Sequence, residues 1–242
     1  MSEQQVPDSP QEHTTPAFKM LVVLSGIAMV SGFLVVLVYQ LTKPVIEENQ
    51  RLAIERAVFK VVKGATNRRD YRVTPKGISL IAENDKGGEG ITIYGAYDDE
   101  GKLKGIAVNG AGMGYAGLVH ILYNYDPECA CIRSFEVLKS TETPGLGDKI
   151  ITDPAFQANF NGKDGLMAKL NSAGTALENA IVTVKNGSKQ NPWEIDAISG
   201  ATITSQAVGK ALNQSAQELL PLLLPHLDSI RQIELPKPEV TQ

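Results

Sequence analysis

Met20 to Tyr39 is a run of 20 residues without a charged side chain, MLVVLSGIAMVSGFLVVLVY. At 1.5 Å per residue a helix of that length spans about 30 Å, the thickness of a bilayer's hydrocarbon core. A helix buried in a soluble protein normally carries a polar stripe, and this run carries none. A cleaved signal peptide has a shorter apolar stretch followed by an A-x-A-like site, and no such site follows here. The run therefore predicts a single-pass transmembrane helix over residues 18–41, with membrane lipid as its surroundings. Phe18 and Tyr39 suit the two interfaces. Ser25, Gly26, Ser31 and Gly32 permit close contact with other membrane helices. Lys19 lies on one side, and Lys43 and Arg51 lie on the other. That asymmetry is weak and leans against an orientation with the N-terminus inside.

On either side of this helix the chain changes character. Residues 1–17 are polar, with Pro7, Pro10 and Pro16 among the acids Glu3, Asp8 and Glu12, and predict a disordered tail. After Pro44, the residues Ile46, Leu52, Ala53, Val58 and Phe59 fall near helical spacing, which predicts an amphipathic helix ending near Gly64. Residues 67–77 carry Arg68, Arg69, Arg72 and Lys76. They read as a solvated connector, or less readily as a patch for lipid headgroups. From residue 78 the pattern turns to short β-rich runs: Ile78–Ile81, Ile91–Tyr94, Leu103–Val108, Leu118–Tyr123, Cys131–Leu138 and Ala180–Val184. Residues 153–163 predict a short helix opened by Pro154, with Phe156 and Phe160 one turn apart. Ala207, Val208, Ala211, Leu212, Ala216 and Leu219 recur on one side of a helix from Ser205 to about Leu220, near Pro221 and Pro225. Residues 233–242 read as a tail. The chain is thus an anchor, a helix with connector over 42–77, and an α+β domain over 78–232.

Several functions are disfavoured by composition. The net charge is −4, and no basic stripe is interleaved with aromatics, so a nucleic-acid partner is not expected. The histidines His13, His120 and His226 are widely spaced, so no metal site is expected. Cys129 and Cys131 have no zinc or haem spacing. They read as two small apolar side chains on one strand face rather than a redox pair, since a bridge that close is strained. Gly112 to Gly117 matches G-x-G-x-x-G. The run after it reads as a strand, not the helix a dinucleotide fold needs. A flexible glycine loop that lets backbone approach something closely is the better reading.

Two further stretches carry candidate chemistry. In Thr141-Glu142-Thr143-Pro144-Gly145-Leu146-Gly147-Asp148-Lys149-Ile150, Pro144 and Gly145 fit the corners of a tight turn. Asp196-Ala197-Ile198-Ser199-Gly200-Ala201-Thr202-Ile203-Thr204-Ser205 crowds small and hydroxyl residues before the last helix. Thr204 or Ser205 can cap that helix. Its first-turn N–H groups favour an anion, with the Thr202 hydroxyl at the mouth. On local physics the stretch is either an ordinary capped helix start or a phosphate site.

Taken together, the Glu142–Lys149 stretch and the later Asp196-x-x-Ser199-Gly200-Ala201-Thr202-x-Thr204 resemble the FMN-binding domain of the G subunit of Rnf electron-transport complexes. The corresponding component of the Na⁺-translocating NADH:quinone reductase, its C subunit, is similar, and the Gly147-Asp148-Lys149 ending looks more like the Rnf protein. The resemblance covers roughly residues 18–225 and implies a β-rich α+β domain closed by a C-terminal helix. It implies FMN held covalently, as a phosphoester on Thr202, installed from FAD by a flavin transferase that reads the stretch led by Asp196. Ser199, Gly200 and Ala201 would be the small neighbours of the ester. Glu142, Thr143, Gly145, Leu146 and Gly147 would lie near the isoalloxazine ring, with Gly114 and Tyr115 a looser match. The implied role is an electron relay between ferredoxin and NAD in an ion-translocating complex. The implied setting is the inner membrane, with the FMN domain on the periplasmic side and the other Rnf subunits as partners. No turnover by this chain alone is implied. A cofactor-free membrane-anchored binding or sensory module is the alternative from a different class.

Overall fold

The structure is a computed structural model that describes residues 17–82, 88–162 and 165–233. The expected tails therefore lie outside the described residues, apart from their inner ends, Ala17 and Ile233. The chain divides into two units, residues 1–51 and 52–242. Helix α1 (Ala17–Val61) begins in the first. It is the one described helix long and apolar enough, by length and composition, to cross a membrane. The sequence reads as two helices broken near Pro44, but α1 passes through Pro44 unbroken. Gly64, with φ of 81°, follows its end.

In the second unit, a seven-stranded sheet runs in the order β2-β1-β3-β4-β5-β6-β7. These strands are β1 (Asn67–Thr74), β2 (Gly77–Leu80), β3 (Ile91–Tyr97), β4 (Leu103–Met113), β5 (Leu118–Asp126), β6 (Cys131–Lys139) and β7 (Leu166–Met167). Every pairing is antiparallel. The stretch read as a basic connector is strand β1. Its Tyr71 and Val73 are buried on one face while Arg68 and Arg72 stand on the other, so the charge hid a period of two. Arg68 pairs with Asp70 and lies over the Tyr94 ring.

Alternation gives the sheet two apolar faces. Ile93, Tyr97, Ile106, Val108, Val119, Ile121, Tyr123 and Tyr125 join the main core. Tyr94, Ala96, Ala107 and Leu122 pack with Ala57, Val58, Val61 and Val62 on the other face. The main face is covered by helix α4 (Thr202–Leu223), through Ala207, Val208, Ala211, Leu212, Ala216 and Leu219. The glycine-rich run is part strand and part turn, with Gly114 to Gly117 at the tip between β4 and β5. Gly110 and Gly112 belong to β4, under α4, and a side chain at Gly112 would stand 2.1 Å from the Ala207 carbonyl oxygen. The reading that the glycines permit close approach holds, and the object approached is the backbone of α4.

Short elements complete the unit. Helices α2 (Lys149–Thr152) and α3 (Pro154–Asn161) follow β6. Asp153 caps α3 by accepting from Ala155 and Phe156, and Pro154 stands where a helix tolerates it. Phe156, Phe160 and Phe135 pack edge to face. Parallel strands β8 (Val182–Val184) and β9 (Glu194–Asp196) lie beside α4 and lead into its first turn. Cys129 and Cys131 form a disulfide, against the expectation of two free side chains. Cys129 lies in the turn before β6 rather than on a strand with Cys131, so the two sulfurs can meet.

Candidate functional site

Three separate turns meet at the N-terminus of α4. The first is the tip of the β4–β5 hairpin, where Gly114 N–H donates to Gly117 C=O at 2.8 Å. The second is the Thr143–Gly147 loop. Its Pro144-Gly145 corner has Gly145 at φ 77°, and Leu146 and Gly147 N–H groups both donate to the Thr143 carbonyl. This leaves the Leu146 side chain 50% exposed at the loop tip. The third is the passage from β9 into α4, where Gly200 takes φ 84° and an added side chain there would meet open space.

A cleft of about 380 Å³ opens between them, within the range of small-molecule sites. Glu142, Thr143, Leu146 and Gly147 line one side, and Gly200, Ala201 and Thr202 line the other. Seven of the residues singled out from sequence thus share one cavity. Of the looser match, Tyr115 lines it as well and Gly114 does not. Ile203 and Thr204 also line it and were not among the predicted site residues. Their signal was available in part, since Thr204 belongs to the second motif and Ile203 lies between it and Thr202.

Thr202 is the first residue of α4 and is exposed. The expected cap is not there. Thr204 and Ser205 are buried inside the first turns, and no side chain caps Ala201. Ser205 instead braces the loop from within, donating to Ala201 C=O at 2.9 Å and accepting from Ile198 N–H at 3.1 Å. Thr204 donates to Glu142 Oε2 at 2.5 Å. Glu142 Oε1 accepts from Ala116 N–H at 2.9 Å. Burial on its own would raise the Glu142 pKa. Hydrogen bonds from Thr204 and from the backbone of Ala116, Tyr115 and Gly117 outweigh it and hold the carboxyl below its ordinary value.

Asp196, Ser199 and Gly145 are not in the lining. Asp196 accepts from Gly187 and Ser188 N–H groups at 2.9 and 3.3 Å. Asn159 of α3 clasps its backbone from both sides, accepting from its N–H at 2.9 Å and donating to its C=O at 3.2 Å. Asp196 therefore fixes where the passage into α4 begins. Ser199 is exposed on the loop and Gly145 forms the turn behind Leu146.

The FMN-binding domain family matches residues 114–217, a span that holds every residue of the cleft. The RnfG N-terminal region matches residues 21–61. The G subunit of an ion-translocating oxidoreductase complex from Methanosarcina acetivorans is 31% identical over 205 residues, which cover 83% of this chain and 95% of that protein. The chain belongs to the G-subunit family of ion-translocating oxidoreductase complexes. The G subunit of the Na⁺-translocating ferredoxin:NAD⁺ oxidoreductase complex of Acetobacterium woodii is 30% identical over 83% of this chain and 90% of its own length. The crystal structure of Shewanella oneidensis NqrC has the same fold, with a TM-score of 0.55 at 19% identity over 76% of this chain and 98% of that one. In this G-subunit protein the cleft therefore lies in an FMN-binding domain, and α1 coincides with the family's N-terminal region to its last residue, Val61.

Proposed function

We propose that the chain is a membrane-anchored electron relay in an ion-translocating ferredoxin:NAD oxidoreductase complex, working through FMN joined to Thr202 as a phosphoester. The observation that carries this is the sharing of one cleft by the exposed Thr202 and by Thr143, Leu146 and Gly147 of the T-P-G-L-G loop. The residues fit the group. Tyr115, Leu146 and Ile203 are 75%, 50% and 49% exposed, an apolar surface suited to a flat ring. No side chain caps α4 at Ala201, which leaves the first-turn N–H groups of α4 to the phosphodiester anion. Attachment forms a bond from Thr202 Oγ1 to the FMN phosphorus of FAD and breaks the pyrophosphate bond, so AMP leaves and the hydroxyl proton is lost. Exposure of Ser199, Gly200 and Thr202 lets a flavin transferase reach that oxygen.

When bound, FMN supplies the redox chemistry; the chain holds it, orients it and surrounds it with fixed charge. A tether at Thr202 keeps the carrier on its protein, and the other subunits of the complex are its electron donor and acceptor. The apolar run of α1 would anchor the chain in the inner membrane, with residues 78–232 outside the cytoplasm. The disulfide between Cys129 and Cys131 supports that side, since such bonds persist in oxidising compartments. The quinone-reductase reading is less well supported. The C subunit of that enzyme from Pasteurella multocida is 28% identical over 55% of this chain, against 83% for the G-subunit relatives. A cofactor-free module is disfavoured by the FMN-binding domain match.

The test is in-gel flavin fluorescence of the full chain, coexpressed with a flavin transferase and run under denaturing conditions. Wild type should fluoresce and Thr202→Ala should not. A dark wild-type band, or a bright T202A band, refutes the ester on Thr202.

A further inference from the structure

We infer that Glu142 sets the electron affinity of the flavin: its carboxylate is a fixed anion in the wall of a cleft whose described lining holds no cation, and it keeps the cofactor's reduction potential low. This rests on the cofactor reading above. Glu142 is only 8% exposed yet borders the cleft. Both its oxygens are engaged, Oε2 with the Thr204 hydroxyl at 2.5 Å and Oε1 with Ala116 N–H at 2.9 Å. Its neighbours leave it no room to turn away. A side chain at Gly114 would stand 2.5 Å from Oε1, and one at Gly147 would stand 2.6 Å from the Glu142 Cβ.

Among the described residues, Glu142 is the only charged side chain in the cleft's lining, which includes no Lys, Arg or His. Its partners are donors, so they favour the ionised carboxylate. The hydrogen bonds hold its pKa down even though burial works the other way. Electrons entering a ring beside this anion meet a repulsion that solvent screens poorly. Reduction takes two electrons from the donor and a proton from water. With two electrons and one proton taken up the reduced ring is an anion, and the Glu142 carboxylate raises the energy of that charged product. The potential falls relative to the same cleft without the charge.

A substitution separates charge from structure. Glu142→Gln keeps the size of the side chain. Its amide oxygen can accept from Ala116 and its NH₂ can donate to Thr204, whose hydroxyl rotates to accept. Thr204→Val keeps the charge and removes one hydrogen bond. The experiment is a potentiometric titration, followed by flavin absorbance, of the full chain with its flavin attached. E142Q should shift the midpoint upward, and T204V should shift it less. An E142Q midpoint at or below wild type, or a T204V shift as large as that of E142Q, overturns the inference. Should E142Q carry no flavin, the wild-type midpoint against free FMN in the same buffer decides, and a value above free FMN overturns the inference. A dark wild-type band overturns the cofactor reading, and this inference with it. A bright band with an unmoved midpoint overturns this inference alone.

Discussion

Replacing Gly112 by alanine tests whether α4 is seated on β4 by backbone contact. The new Cβ would stand 2.1 Å from the Ala207 carbonyl oxygen and 2.9 Å from its carbon. Ordinary contact begins at 3.4 Å, so strand and helix must part by more than 1 Å. Neither partner is a flexible side chain, so the strain is not relieved by a rotamer change. A gap of about 0.5–1 Å already forfeits a quarter to a half of each dispersion contact nearby. The cost falls on Ala207, Val208, Ala211 and Leu212, all fully or almost fully buried at this seam. Overpacking of this kind costs about 1–3 kcal/mol, and a rigid backbone clash belongs at the upper end. Removing a glycine from a strand returns about 0.5–1 kcal/mol. The net expectation for G112A is a loss of about 2 kcal/mol, or a fall in Tm of about 4–8 °C for a domain of this size. Gly110 is the internal control, because its added Cβ would lie 3.2 Å from the Ala211 carbonyl oxygen, a few tenths of an ångström too close. G110A should change stability little. Urea unfolding of the detergent-solubilised chain reads both. A G112A variant as stable as wild type, or a G110A variant less stable than G112A, would refute the seating.

Two other outcomes follow from the same structure. Reducing the Cys129–Cys131 bond, or replacing both residues by serine, frees a loop of three residues. By loop-closure entropy this should cost about 1.6 kcal/mol, read as a lower melting temperature in dithiothreitol that the double-serine variant no longer shows. Burial raises the pKa of Tyr97, Tyr123 and Tyr125, the last to about 12, with the Tyr71 hydroxyl adding to Tyr97 and Asp126 to Tyr125. The folded chain thus holds phenol protons that the unfolded chain releases above about pH 10. Stability is unaffected below that pH and falls as pH rises through and beyond it, by up to about 1.4 kcal/mol per tyrosine per pH unit. Urea midpoints at pH 9 and pH 11 test this, and equal midpoints contradict it.

Most of the strands were legible because their apolar residues alternate, and α4 because its alanines and leucines recur at helical spacing. The failures have physical causes. In β1 the arginines outweighed Tyr71 and Val73, since composition hides a period of two when the outward residues are long and charged. Gly112 looked like loop because a glycine that makes room for a helix and one that makes a turn are the same letter. The disulfide was missed because the spacing argument put both cysteines on one strand, and the chain places Cys129 in a turn. At the site, the motif residues Thr143, Leu146, Gly147 and Thr202 were identified through a family resemblance, and they meet in one cleft. Local physics proposed a cap from Thr204 or Ser205. What decides their roles is distant: Glu142 draws Thr204 inward from 62 positions earlier, and a residue so held cannot turn back to cap its own helix.

That long-range bond also joins the two motifs in the fold. Thr202 sits at the start of a helix whose position is fixed from three directions. Asn159 and the Gly187–Ser188 turn hold Asp196 before the loop, and Ser205 ties Ala201 and Ile198 within it. Glu142 then fastens Thr204 to the loop and hairpin opposite. The residues that would touch a cofactor, Tyr115, Leu146, Thr202 and Ile203, are the exposed ones, while those beneath them, Glu142, Thr204 and Ser205, are buried and fully engaged. An exposed hydroxyl on so constrained a turn would cost little entropy to hold in place for a transferase, and under the proposed attachment a ring tethered there would have few orientations open to it. Glu142 belongs to both jobs at once: it closes the buried network and leaves its charge in the cleft wall. A glutamine can do the first and not the second, which is why the potential of E142Q, rather than its stability, reports what the carboxylate is for.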